Sequence, residues 1–366
     1  MKKIWSFTTV KDEEDIIESF VRYNMNIFDG MVISDNGSND NTLNILEKLK
    51  KEGYNIDILV DNSQYFDQVI KRNDLLNHTM KKHNPDFVFP LDADEFVCSY
   101  SKGNPKKEIE KLKSDSIHLY RMENYVITGK ENEEELFVPK KLDKLRVSLE
   151  EKNHNYKCII PNKIYEQGVF LEMGSHTARY NDPNKEMPIR KNNSIFIAHY
   201  PVRSKFQIIN KIITGRLNNS SLHAREEGFG FHQYEILDEI VKLGTVSDET
   251  LIDISKTYSL VDKTIKVKYR KQPIDLSFCK NIDLKYTKKG NDDKLLSNTI
   301  KTSLAIINHM REENKKESLE YEKIIARYKD EYYKVINSRT WKVSNALLKP
   351  YVVLKNKKKT QRRNDK

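Results

Sequence analysis

Two acids one residue apart, Asp92 and Asp94, stand in the run Leu91-Asp92-Ala93-Asp94-Glu95-Phe96, directly after the apolar segment Phe87 to Leu91. If strand geometry continued through this run, both carboxylates would face the same way. Two hard oxygen ligands on one side suit Mg²⁺ or Mn²⁺ and leave other positions for water and phosphate oxygens. A second polar run, Ser34-Asp35-Asn36-Gly37-Ser38-Asn39-Asp40-Asn41-Thr42, follows the apolar Met31-Val32-Ile33. A strand, a polar turn and a helix in that order present free backbone N–H groups at the helix start. Asp35 is placed there to hold a ribose or base, although Asx and Ser residues also serve plain turns and caps.

Neither run decides anything without the elements that carry it. Ile4 to Thr9 is short, β-branched and aromatic and predicts a strand. Asp12 to Asn24 sets Ile16, Ile17, Phe20 and Val21 on one face behind a first turn of acids, which predicts an amphipathic helix. Met31 to Ser34 predicts a second strand, a helix carrying Leu43, Leu46 and Leu49 follows, and Ile56 to Val60 predicts a third strand. Residues 67–82 predict a helix and Phe87 to Leu91 a fourth strand. Strands alternating with single helices build a mostly parallel sheet flanked by helices, an α/β fold. Acids after the fourth strand then fall at the carboxyl edge of that sheet, where open α/β folds bind ligands.

Beyond residue 105 the pattern is less regular. Ile117 to Tyr120 and Ser194 to Ala198 predict strands; Phe206 to Leu217, Tyr234 to Leu243 and Asp248 to Lys256 predict helices. Tyr321, Ile325, Tyr328, Tyr332 and Val335 follow a 4, 3, 4, 3 spacing for about two heptads, short of a coiled coil and suited to a helix packed on the body. The division this suggests is a domain over 1–240, a mostly helical extension over 241–315, and a C-terminal helix with a basic tail over 316–366.

Composition narrows the classes. With 366 residues, 37% hydrophobic and 10% aromatic, the chain can bury a core. No run approaches the roughly 18 apolar residues of a membrane span, and the acids from Asp12 to Asp15 interrupt any signal peptide, so a cytoplasmic protein is expected. Cys98, Cys158 and Cys279 include no CxxC pair, which argues against a zinc site or a disulfide framework. Residues 349–366 hold eight Lys or Arg against one Asp, so +7 of the net +10 lies in the tail. A terminal tag of charge argues against a nucleic-acid partner, which needs a basic folded face. There is no GxGxxG and no Walker A run.

Four segments, taken together, resemble the family 2-like glycosyltransferases of the GT-A fold. They are Val10-Lys11-Asp12-Glu13, Ser34 to Thr42, Lys71-Arg72-Asn73 and Asp92-Ala93-Asp94-Glu95-Phe96, in the family's order over roughly residues 1 to 100. Ala198-His199-Tyr200-Pro201-Val202-Arg203-Ser204-Lys205-Phe206 is similar to the His-Tyr-x-x-(Arg/Lys)-Ser segment of one bacterial subgroup. Lys11 stands where the family commonly has Asn. The resemblance implies a GT-A fold with an α-helical C-terminal extension. It implies inverting transfer of a hexosyl or N-acetylhexosaminyl group from a nucleotide sugar, in particular a UDP-sugar, to a hydroxyl of a bacterial glycan or protein acceptor. It implies donor contacts from Thr9, Glu13, Asp35, Arg72, Asp92, Ala93, Asp94, Glu95, His176 and Arg203, and a Mn²⁺ or Mg²⁺ ion on Asp92, Asp94 and His199. A general base must deprotonate the acceptor; Glu123, Glu166, Glu172 and Asp182 are the candidates, and the sequence does not choose among them.

Two rival classes remain. A Mg²⁺-dependent nucleotidyltransferase also uses paired acids on an α/β sheet, but needs a Gly-rich basic loop after the first strand, and residues 8–15 contain no Gly. A nucleic-acid-binding protein would need the charge that resides in the tail. Trp341 and the leucines beside that tail suit peripheral docking on the anionic inner face of the cell membrane; a solvated tail that aids solubility is the alternative. Asn337-Ser338-Arg339-Thr340-Trp341-Lys342 resembles a segment that ends many bacterial glycosyltransferases of surface glycans.

Overall fold

The computed structural model describes residues 1–61, 68–147, 155–221, 240, 245–260, 266–280 and 282–288, with residues 303, 315–316, 319–331, 333–334, 337–338 and 342. The chain forms two compact units, Met1–Ile306 and Ile307–Lys366. In the second, residues 319–331 are helical, with Tyr321, Ile325 and Tyr328 exposed. Tyr332, Val335, the helix expected over Tyr234 to Leu243 and the tail from 343 onward lie largely or wholly outside the described residues.

The first unit opens with the expected alternation: β1 (Ile4–Val10), α1 (Ile17–Asn24), β2 (Gly30–Asp35), α2 (Thr42–Lys51), β3 (Ile56–Val60), α3 (Gln68–His83) and β4 (Phe87–Pro90). Next come β5 (Glu95–Ser99), α4 (Lys106–Ile109), β6 (Ile117–Asn124), α5 (Val138–Lys141), β7 (Lys144–Val147), β8 (Tyr156–Pro161), α6 (Asn162–Tyr165), β9 (Val169–Leu171) and β10 (Ala178–Tyr180). The described elements end with β11 (Ile189–His199), α7 (Lys205–Ser221), α8 (Asp248–Thr257) and β12 (Lys268–Lys271). The eight-stranded sheet runs β3-β2-β1-β4-β8-β6-β11-β5, and β9–β10 and β7–β12 form two small sheets.

The sheet is parallel from β3 through β4 and mixed beyond, because β8 runs antiparallel to both β4 and β6, and β5 antiparallel to β11. This differs from the mostly parallel expectation in the second half only. There the links run through short strands and single-turn helices rather than through full-length crossover helices.

Strand periodicity divides the core into two layers. Ile4, Met31, Ile33, Phe87 and Phe89 pack with Phe20 and Val21 of α1 and Ile45, Leu46 and Leu49 of α2. Their neighbours in sequence, Trp5, Phe7, Val32 and Val88, face the other way onto Leu75, Leu76 and Met80 of α3. Side chains two apart share a face, so each strand feeds both layers.

Helix α1 starts five residues later than the pattern predicts. Asp12 adopts a left-handed φ of 55°, and the acids expected to complement a helix N-terminus are drawn elsewhere. Glu14 accepts from the Asn41 N–H (2.9 Å), while Glu13 and Asp15 turn toward Arg203. Residues 285–287, expected in a separate extension, are tied to α1 by the Glu18 carboxylate, which accepts their three backbone N–H groups at 2.7–2.8 Å.

Candidate active site

Because β1, β2 and β4 are parallel, their carboxyl ends meet on one edge of the sheet. Val10 registers against Asp35, Phe7 against Pro90, and Asp92 follows two residues on. On the mixed half, Glu95 opens β5 and pairs with His199, the last residue of β11; His199 pairs in turn with Asn124, the last of β6. Three strand ends thus bring Glu95, His199 and Asn124 into one row beside Asp94.

The strand does not continue through the acidic run. Residues 93 and 94 form a turn, closed by the Glu95 N–H donating to the Asp92 carbonyl (3.1 Å). Consequently Asp92 and Asp94 turn to different partners. Asp92 accepts from Arg72 through Oδ1 and from Lys157 Nζ through Oδ2 (2.9 Å). Asp94 Oδ2 faces His199 Nε2 at 3.6 Å, Lys211 Nζ at 3.4 Å and Arg203 Nη1 at 3.8 Å.

One oxygen each from Asp94 and Glu95 and a ring nitrogen of His199 lie within 4.8 Å of one another. Asp92, expected as a metal ligand, is placed with the cations instead, and Glu95 takes the position beside His199. His199 Nδ1 sits 2.6 Å from Asn124 Oδ1 and donates there, which fixes the ring with Nε2 facing Asp94. A ring held in one tautomer by an outer partner is the usual arrangement of a metal-binding histidine. Two hard carboxylates and one imidazole fit Mn²⁺ or Mg²⁺.

The electrostatics follow from burial. The Glu95 side chain is 0% exposed and burial pushes its carboxyl up to about 8, against the pull of Lys157 at 3.1 Å. For Asp94 burial acts the same way but is outweighed; Lys211, His199 and Arg203 hold it well below the usual carboxylate range. Arg203 also bridges Glu13 (2.6 Å) and Asp15 (2.7 Å), and burial pushes Glu13 up to about 8. Arg72, Lys157, Arg203 and Lys211 therefore stand among Asp92, Asp94, Glu95, Glu13 and Asp15 at one sheet edge.

Asp35 ends β2, one residue beyond the expected strand, and its Oδ1 accepts from the Gly37 and Ser38 N–H groups at 3.1 and 2.9 Å. Gly37 takes φ +71° to close that turn, a conformation that glycine adopts without strain. Asp35 Oδ2 is buried with no partner, as is Thr9 Oγ1 on the neighbouring strand. Ala93 is buried in the acidic turn. Arg72 reaches from α3 to Ser175 Oγ (2.9 Å) as well as to Asp92, and His176, next in sequence to Ser175, bonds the Tyr156 carbonyl at 2.7 Å.

The four candidate bases are dispersed. Glu123 on β6 accepts from the Tyr100 hydroxyl (2.7 Å); Glu166 is exposed at the end of α6. Glu172 lies on the β9–β10 link, 3.8 Å from Arg179, and Asp182 is exposed in a turn. Sequence reasoning missed Lys157 and Asn124, and read Glu13 and Asp15 toward other roles. Lys157 carries no motif. Asn124 was detectable only by extending the Ile117 strand four residues further.

No protein-family model matches the sequence, and no protein of curated function matches it. Among solved structures the chain is similar to S. aureus TarS 1–349 in complex with UDP, at 14% identity over 71% of this chain and 75% of that one, with a TM-score of 0.34. It is similar to glucosyl-3-phosphoglycerate synthase from Mycobacterium tuberculosis in complex with Mn²⁺, UDP and glucosyl-3-phosphoglycerate, at 11% identity over 46% and 60% of the two chains (TM-score 0.26). HddC from Yersinia pseudotuberculosis is similar at 11% identity over 52% and 90% (TM-score 0.30). Likenesses of this depth assign neither a family nor an activity.

Proposed function

We propose that the chain is a metal-dependent GT-A glycosyltransferase that moves a hexosyl or N-acetylhexosaminyl group, with inversion, from a UDP-sugar to a hydroxyl of a bacterial glycan or protein acceptor. The observation that carries this reading is the group of Asp94, Glu95 and His199, ringed by Arg72, Lys157, Arg203 and Lys211, at the carboxyl edge of parallel strands. Such a site is built for a ligand that brings both a cation and a polyanion. A nucleoside diphosphate leaving group is that ligand, since its charge grows as the glycosidic bond breaks.

The roles follow from position. Asp94 and His199, with Glu95, would hold Mn²⁺ or Mg²⁺, which supplies Lewis-acid stabilisation of the diphosphate. Arg72 and Lys157 fix the Asp92 turn and stand beside the phosphate oxygens, where charge-assisted hydrogen bonds are strongest. Asp35 Oδ2 and Thr9 Oγ1, both buried and unpartnered, receive the nucleoside. Arg203 locks Glu13 and Asp15 to the rim of the site. The tail from 349 onward would dock the enzyme peripherally on an anionic membrane from the cytoplasmic side, which sedimentation with anionic vesicles would test.

A donor-hydrolysis screen tests the reading. Purified protein with Mn²⁺ or Mg²⁺ is given a panel of nucleotide sugars, and released nucleoside diphosphate is read. Release from one donor, lost with EDTA and in Asp94→Ala, is expected. Release of pyrophosphate from a nucleoside triphosphate instead would assign the nucleotidyltransferase class.

A further inference from the structure

A second group of ligating side chains lies apart from the acidic run, between the edge strand β3 and the end of α3. Asp57 Oδ2 receives His78 Nε2 at 2.9 Å and His83 Nε2 at 3.1 Å, and the three atoms lie within 4.8 Å of one another. Neither histidine belongs to any segment that suggested the transferase reading. We propose that Asp57, His78 and His83 form a binding site for a borderline transition-metal ion, with Zn²⁺ the expected occupant.

Donor chemistry selects the ion. Two imidazole nitrogens and one carboxylate suit Zn²⁺, Co²⁺ or Ni²⁺, whereas Mg²⁺ and Ca²⁺ prefer oxygen alone. Spacing agrees as well. Tetrahedral Zn²⁺ with bonds of about 2.0–2.1 Å sets its ligand atoms roughly 3.3 Å apart. The observed separations of 2.9 and 3.1 Å need to open by only a few tenths of an ångström. Both hydrogen bonds to one oxygen place a proton on each Nε2, and an ion bound at Nε2 would leave each neutral ring protonated on Nδ1 instead.

The frame is also preorganised. His83 stacks on Trp5 with ring centroids 3.7 Å apart and 16° between planes, so its Nε2 is aimed by a core residue of β1. Asp57 is fixed in the β2–β3 ladder opposite Val32. The side chains of His78, His83 and Asp57 are 33%, 17% and 15% exposed, which leaves an approach from solvent and room for a water as fourth ligand. Lys82 Nζ also bonds Asp57, at 3.0 Å to Oδ1 and 2.9 Å to Oδ2. Its side chain is half exposed on a flexible stem, so it is the competitor an incoming ion must move.

The test uses Co²⁺ and Zn²⁺ as probes on the full, metal-stripped chain. Wild type should bind one Co²⁺ at this site, with the visible absorption of a low-coordinate nitrogen–oxygen site, and Zn²⁺ should displace it. His78→Ala and His83→Ala should each weaken binding by roughly tenfold or more. Lys82→Met, which removes only the competitor, should tighten it. Asp94→Ala should leave the signal intact, which separates this site from the one proposed for the donor. Absence of such a Co²⁺ spectrum in folded wild type, or one unchanged in both histidine variants, would overturn the assignment. If a histidine variant fails to fold, the wild-type spectrum and the Lys82→Met shift still decide.

Discussion

At the scale of residues, the site is defined by which partner each charge finds. Asp92 and Asp94 look equivalent in sequence, yet the turn at 93–94 gives the first to Arg72 and Lys157 and the second to His199. The two should therefore fail differently. Asp94→Asn is expected to abolish Mn²⁺ binding followed by electron paramagnetic resonance, whereas Asp92→Asn should leave the ion bound and lower donor affinity. Asn124 touches no substrate in this account and acts by holding His199 Nδ1. Asn124→Ala should weaken Mn²⁺ roughly 10- to 100-fold with the fold intact, the effect typical of an outer partner to a metal-bound histidine. Unchanged Mn²⁺ affinity in that variant would remove His199 from the ligand set.

At the scale of elements, α3 is the piece that joins the sheet to the irregular region. Asn73 Nδ2 donates to the Leu171 carbonyl at 3.0 Å, and its Oδ1 accepts the Leu171 N–H at 2.8 Å, tying α3 to the β9–β10 hairpin. Asn73→Ala strands both groups and should cost about 1–3 kcal/mol, read as a lower melting temperature and faster amide exchange at Leu171. Elements β1 to β4 were legible because a helix separates each strand from the next and the apolar periods are clean. The second half was not. Strands β9 and β10 have three residues each and β7 has four, too short to show a period, and β7 pairs with the distant β12. The same contrast governs the site. Asp35, Arg72 and Asp94 sit in or just after readable elements, while Lys157 enters from a strand whose only marks are Cys158 to Ile160.

At the scale of the molecule, a buried ion network holds residues 285–287 against α1. Glu18 and Arg22 are 0% and 1% exposed and paired at 2.8 Å, and Arg22 reaches Glu52 at 2.9 Å. Glu18→Gln breaks a buried pair and weakens three backbone bonds, so a loss of about 3–5 kcal/mol is expected in chemical denaturation. Arg22 is the largest cause of a Glu52 carboxyl lowered to about 2, and backbone N–H groups and Arg22 outweigh burial to lower Glu18 as well. A carboxyl lowered in the folded state adds stability that is fully present above its unfolded value of about 4.5 and fades as pH falls toward 2. The stability that Glu52 adds should thus be lost below about pH 4.5, and Glu52→Gln should flatten the acid-side decline of the melting temperature. The central claim, that the carboxyl edge of this sheet binds a nucleoside diphosphate through a divalent ion, is tested most directly by calorimetric titration of UDP into the full chain. One UDP bound in the presence of Mn²⁺, and lost on chelation or in Asp94→Ala, is the predicted result. A folded wild-type protein that binds no UDP with either Mn²⁺ or Mg²⁺ would contradict it.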